Sequence, residues 1–426
     1  MGEKSLAVKA SRTTFFFYVV FLLMGGTVPF QDKITDVSDV VTSNLSNQII
    51  DTLFPFISLL CLLPKRKQLL LVLKQEKYLT LFLLWCLCSV LWSDFVLDSF
   101  KRWVRLFGST IVILGFLLNT ESPDEAFKYL RRVFVFYVPL SLLAIAFVPG
   151  AIQWEFPAWR GLASHKNTLG QISLISAIVW SFTSGVSSTG KKISRWLFLL
   201  ASLILLFGSR STTALVCFLF LLMTASWLIV ERQLQNLNVG RLVSLTLVFC
   251  VSLLFLLVQA LELNALESVT GVFGKDASFT GRTELWEAIF DEAKTHIFFG
   301  CGFGGFWVME NPAVLLLYAD YNFPWLPNEA HLGYLDVLNE TGIVGLSLLA
   351  LMIIFYFRAL SRFDKPHFWK WFFLCTLFIN LQESTLFRVA NFSGWLFVLS
   401  YLVLYVELIH SKMRVAEGRQ LSEGYT

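Results

Sequence analysis

The chain has 426 residues, of which 56% are hydrophobic and 15% charged, with a formal net charge of +4 and a mean hydropathy of +0.66. Soluble globular chains carry roughly a quarter charged residues, so a water-soluble enzyme is excluded, and apolar runs of about twenty residues exclude a barrel of short alternating strands. There is no basic run with interleaved aromatics, hence no footprint for nucleic acid.

Taken in order, twelve apolar segments read as candidate spans: Thr14–Phe30, Ile49–Leu63, Tyr78–Trp92, Trp103–Leu118, Val133–Pro149, Thr168–Val186, Trp196–Gly208, Thr213–Val230, Leu242–Ala260, Leu338–Phe357, Trp371–Leu386 and Phe392–His410. This is the pattern of an all-α polytopic membrane protein, a single integral membrane domain over residues 1–426. The first segment has no small-residue cleavage signal after it and reads as an anchor. With both termini in the cytoplasm, every inner loop is basic: Lys4, Lys9 and Arg12; Lys65 to Lys77; Lys128, Arg131 and Arg132; Lys191, Lys192 and Arg195; Arg232 and Arg241; Arg358 to Lys370; Lys412 to Arg419. These hold most of the 34 Lys and Arg, as the positive-inside rule requires of an even span count.

That topology loads the outer face. It receives Trp92-Ser-Asp94 with Arg102 and Arg105, the short loop 150–167 with Arg160 and His165-Lys-Asn167, Arg210 at the end of the seventh span, and one long loop from Leu261 to Leu335. Long ordered loops are usually functional. Within this one, Leu285, Trp286, Ile289, Phe290, Ala293 and Ile297 recur at helical spacing, which predicts an amphipathic helix over Thr283–Phe298. Thr280 or Gly281 caps it and Gly300 stops it. Gly300-Cys-Gly-Phe-Gly-Gly305 lacks the Gly-Lys-Ser/Thr ending of a phosphate loop and reads as a tight turn. Of the seven Cys, only Cys301 lies in the loop, which gives neither a disulfide framework nor a metal spacing.

Three side chains on this face have suitable chemistry. His331, as a neutral imidazole, can take a proton from a hydroxyl near pH 7; a plain interfacial polar residue is the alternative. Arg210 and Arg282, if they converge, offer two forked, permanently charged donors to a diphosphate; snorkelling or a surface ion pair is the alternative. Arg210 is the harder to dismiss, because a charge between two apolar runs is costly unless used. There is no Asp-x-Asp and no His/Cys/Asp cluster at metal spacing, so the expectation is no metal and no cofactor.

A set of short stretches then carries a resemblance: Ser89-Val-Leu-Trp-Ser93 with Arg102 and Arg105, Gly161-Leu-Ala-Ser-His-Lys-Asn167, Gly208-Ser-Arg-Ser211, Thr280-Gly-Arg-Thr-Glu-Leu-Trp286, Gly300-Cys-Gly-Phe-Gly304, and Ala330-His-Leu-Gly-Tyr-Leu335 with Glu340-Thr-Gly-Ile-Val-Gly345. In this order they resemble the O-antigen ligase and polymerase superfamily of bacterial membrane glycosyltransferases, closest to its exopolysaccharide polymerase branch. Leu332 departs from the pattern, since many relatives have Asn after the histidine. The resemblance implies an enzyme of the bacterial inner membrane with a periplasmic catalytic loop, residues 261–337. It implies metal-independent, inverting transfer of glycan from an undecaprenyl-diphosphate-linked oligosaccharide to a glycan acceptor on a lipid carrier, with membrane lipids and chain-length regulator proteins as further partners. His331, Arg282 and Arg210 carry over as the catalytic set. Arg102, Arg105, Arg160, His165, Lys166 and Asn167 rank next, as substrate contacts. A ligase that attaches the glycan to lipid A core is the nearest alternative, and a polytopic transporter of an envelope polysaccharide precursor is the alternative of another class. A transporter would place ionisable groups at mid-span, whereas here the outer face is loaded.

Overall fold

The computed structural model describes residues 2–25, 45–153, 158–183, 189–234, 281–320, 327–363, 368–388 and 390–423. They form fourteen α-helices: α1 Gly2–Leu23, α2 Leu45–Leu62, α3 Arg66–Gln75, α4 Tyr78–Ser89, α5 Val96–Leu117, α6 Asp124–Phe147, α7 Lys166–Ser181, α8 Thr189–Gly208, α9 Thr212–Leu234, α10 Gly281–Thr295, α11 Pro312–Asp320, α12 Gly333–Leu360, α13 Trp369–Ile379 and α14 Phe392–Glu423. Four helical stretches, Leu6–Leu23, Asp124–Phe147, Gly333–Leu360 and Phe392–Arg414, are long and apolar enough to cross a membrane. The chain is a helical membrane protein. The candidate spans in the described residues overlap helices, although Trp371–Leu386 is helical only as far as Ile379; Leu242–Ala260 lies outside the described residues, as does the first part of the long loop.

The interior is built by close helix approach. On α5, Gly108 and Gly115 face α2: a Cβ would stand 2.8 Å from Pro55 Cγ at the first and 2.9 Å from Ser58 Cβ at the second. Small residues of this kind let helices meet where no hydrophobic effect drives them together. Between α7 and α8, Ser176 and Ser202 join through their hydroxyls at 2.8 Å. The hub is α14, almost wholly buried and packed against α1, α3, α5, α7, α12 and α13.

The loop 150–167 departs from an all-helical chain. Ile152–Gln153 pairs antiparallel with Ala158–Trp159, a minimal hairpin held at its base by Arg160 N–H donating to Ala151 O. Residues 154–157 lie outside the described set.

The long loop is a compact layer with a core of its own, Leu285, Ile289, Phe306, Trp307, Val314, Leu317, Ala330 and Leu335. The helical spacing read from the sequence overlaps α10, starting two residues after its first residue and running three residues past its last. Leu285, Ile289 and Ala293 are its buried stripe, while Phe290 faces out.

This layer is keyed into a break in α12. At Gly342 the backbone turns to φ 66°, ψ −171°, so neighbouring peptide groups lose their helical partners. Ile343 and Val344 donate instead to Ile297 O and Phe298 O at 2.8 and 3.3 Å, and Asn339 O and Glu340 O accept from Cys301 and Gly302 at 3.0 and 3.1 Å. Unpaired backbone groups cost several kcal/mol in an apolar medium, so this exchange is what makes the break tolerable. Gly300 is required here: its φ is +74°, and a Cβ would fall 2.4 Å from Thr341 N.

Candidate active site

Next to the break lies a cavity of about 260 Å³, walled by α5, the glycine turn, the start of α12 and the α13–α14 connection. Arg102 anchors the turn into this wall, donating to Gly304 O at 2.5 Å and Trp307 O at 2.6 Å. Asp336 and Glu340, one helical turn apart on α12, present carboxylates to the cavity. Asp336 accepts from Trp307 Nε1 at 2.8 Å and from Arg388 Nη2 at 2.8 Å. Burial alone would discourage the charge on Arg388, but Asp336, Glu340 and Glu329 hold it protonated.

His331 sits beside this cavity, in a segment pinned from three sides. Trp286 of α10 donates its indole N–H to Ala330 O at 2.7 Å. Ala330 N–H reaches Asp336 at 3.3 Å. Leu332 N–H donates to Ser384 Oγ at 3.2 Å, and Gly333 N–H to Asn380 O at 3.0 Å. The Asn380 side chain shapes the connection in turn, accepting from the N–H groups of Thr385 and Leu386, both at 2.8 Å. Thus pinned, His331 takes φ 51°. Backbone of this kind is strained for a residue with a Cβ, and such strain clusters at functional sites. Arg210, Phe387 and Ala390 share it, and the last two line the cavity.

The imidazole Nδ1 lies 2.9 Å from Glu329 Oε1 and 3.5 Å from Glu383 Oε2. Neither contact has aligned hydrogen-bond geometry, so both are ion pairs. Burial pushes the ring toward neutrality, but the two carboxylates outweigh it, Glu329 most strongly, and raise its pKa from 6.5 to about 10. The two carboxylates thus favour the protonated ring, whereas the sequence reading takes the neutral imidazole. The same three residues bring one ligating atom each within 4.8 Å of one another, a set that can hold a cation. Sequence spacing shows no such cluster, because Glu383 arrives from another helix pair.

The other nominated residues separate into two groups. Asn167 joins the site, donating from Nδ2 to Glu383 Oε1 at 2.7 Å, and Arg102 lines the cavity. His165, exposed, caps α7 by accepting from Asn167 N–H, with Lys166 opening the helix. Arg105 is instead committed to Asp51 across α2 and α5 at 2.5 Å, and Arg160 donates to Gly150 O within the hairpin. These last two are structural in this state.

Arg210 is exposed in the turn between α8 and α9 and is not in the cavity lining. Its neighbours Ser209 and Ser211 pack on Gly170 of α7, one helical turn beyond Asn167 and hence next to the Glu383 contact. Arg282 belongs to the first turn of α10, four residues before Trp286; its side chain lies outside the described residues.

Glu329, Asp336, Glu340, Glu383 and Arg388 were not nominated from sequence. For three of them a signal existed: Gln382-Glu-Ser-Thr385 is a polar run interrupting an apolar segment, and Asp336 and Glu340 share a helix face at the edge of a span. Leu332, the departure from the family pattern, packs on the small loop core.

Residues 197–350 match the family model described as O-antigen ligase, a stretch that contains Arg210, Arg282 and His331. Over 143 residues the chain is 27% identical to the exopolysaccharide production protein ExoQ of Rhizobium meliloti (strain 1021). That match covers 30% of this chain and 32% of the relative, so the chain spans about a third of the length of the relative it matches. Both likenesses support the O-antigen ligase and polymerase superfamily.

Proposed function

We propose that the protein is an inverting, metal-independent glycosyltransferase of the bacterial inner membrane, which extends a glycan with units from an undecaprenyl-diphosphate carrier on the periplasmic face. The observation that carries this reading is His331 held between Glu329 and Glu383 beside a cavity, in the stretch that resembles O-antigen ligases. The acceptor hydroxyl attacks the anomeric carbon, the bond from that carbon to the diphosphate oxygen breaks, and the diphosphate leaves with the electron pair. The hydroxyl proton passes to the unit of one imidazolium and two carboxylates, which keeps a net negative charge and so has capacity for it. The imidazolium orients the acceptor. Arg210 and Arg282 bind the diphosphate, a task suited to groups that stay charged and cannot give up their proton.

Polymerisation is preferred to ligation because the relative is named for exopolysaccharide production; chain-length regulators and a lipid-borne acceptor follow from that choice. The test is purified protein with a lipid-diphosphate oligosaccharide, with and without EDTA. A ladder of longer glycans, unchanged by the chelator, is expected. A single transferred unit on added lipid A core would make it a ligase. No product in either case, with intact folded protein, would overturn the enzyme reading, and loss of the ladder in EDTA alone would assign the three-residue cluster to a cation.

A further inference from the structure

Among the groups of the cavity wall that the mechanism above does not use, Glu340 stands out. Glu340 is 7% exposed. Its Oε2 accepts from Gly304 N–H at 2.9 Å, and its Oε1 is buried with no hydrogen-bond partner among the described residues. A buried carboxylate oxygen without a partner is costly and calls for a ligand that fills it. An ionised carboxylate oxygen only accepts, so the partner it calls for is a donor.

The surroundings narrow its chemistry. Among the described residues, the lining carries the carboxylates of Glu329, Asp336 and Glu340 against the guanidinium groups of Arg102 and Arg388. Both guanidiniums are engaged, Arg102 with two backbone carbonyls and Arg388 with Asp336. Among the described residues the lining thus carries three carboxylates against two guanidiniums whose donors are partly engaged, a balance that disfavours a diphosphate or a uronate. The remaining wall alternates polar groups such as Asn391 and Ser384 with aromatic rings such as Phe82 and Phe392, suited to the hydroxyl edge and the C–H face of a pyranose. At about 260 Å³ the space is just below the usual range of about 300–1,000 Å³ for ligand pockets, enough for one ring.

We infer that this cavity is a subsite for one uncharged sugar residue of the acceptor glycan, and that Glu340 determines specificity by accepting a hydroxyl proton donor on its free Oε1. The inference rests on the glycosyltransferase reading for the word acceptor, but binding can be tested without turnover. The full-length protein in detergent is titrated by saturation-transfer NMR with glucose, galactose, mannose and N-acetylglucosamine as uncharged probes, and with glucuronate as the charged one. Glu340→Gln keeps an oxygen for Gly304 N–H and puts an N–H₂ where Oε1 was, so the fold contact survives while the acceptor becomes a donor. At least one uncharged probe should bind, more tightly than glucuronate, and E340Q should weaken it roughly tenfold or more. In the ladder assay, E340Q should raise KM for acceptor while leaving donor binding unchanged. The inference is overturned if none of the four uncharged sugars binds, if glucuronate binds as well as they do, or if E340Q binds like wild type. Sugar binding lost in E340Q by a protein that makes no glycan would instead keep the subsite and overturn the enzyme reading.

Discussion

Glu329→Gln should move the protonation of His331 into the neutral range. In the wild type the ring is held at about 10 against an ordinary 6.5, on the order of 5 kcal/mol in favour of the charged ring at about 1.36 kcal/mol per unit. Glu329 is the largest of the raising influences and stands 2.9 Å away. An opposite charge at such range is worth roughly 1–3 units, so the variant ring should titrate at roughly 7–9. Because the folded value is raised, the stability it gives is fully present below about 6.5 and is lost as pH rises through about 10. Thermal unfolding of purified wild type should therefore decline across that window. E329Q should show the decline at lower pH, and His331→Gln should show none. The ladder assay should gain an inflection near neutral pH in E329Q. Superimposable pH profiles for wild type and E329Q, or a wild-type transition at the ordinary histidine value, would refute the assignment.

The roles within the site separate by binding: His331→Ala should stop turnover yet retain the lipid-diphosphate donor, whereas Arg282→Ala, and more so its combination with Arg210→Ala, should lose it. Arg282→Lys keeps the charge but not the fork, and should cost about two to three powers of ten in rate; wild-type ladder formation by either single mutant would count against the scheme. Gly300→Ala, with a Cβ driven into the α12 backbone at positive φ, should cost roughly 1–3 kcal/mol or more, read as a fall in Tm in detergent. For the topology, an impermeant thiol reagent should label Asp291→Cys and spare Lys67→Cys in intact spheroplasts of a Cys-free strain; the reverse pattern would invert the orientation.

Much of the helical scaffold was legible because long apolar runs report directly on burial. The amphipathic spacing of Leu285, Ile289 and Ala293 likewise located α10. His331 was legible as a residue but not as a charge state, since Glu383 reaches it from fifty-odd residues away through a connection shaped by Asn380. Arg105 and Arg160 illustrate the opposite limit. A guanidinium on the right face looks the same in sequence whether it awaits a phosphate or already holds Asp51 or a hairpin carbonyl. The break at Gly342 was hidden too, because a glycine inside an apolar run does not reveal that another segment will supply its missing hydrogen bonds.

That break has a consequence for how such proteins can be recombined. The backbone of residues 297–302 completes the hydrogen bonding of residues 339–344, and the reverse holds equally. Neither partner is satisfied by a foreign counterpart of different length or register. An exchange of the outer layer between two relatives, in the laboratory or by natural recombination, must therefore carry the first half of α12 along with it, and a workable junction falls after Gly345 and not at the apparent start of the helix.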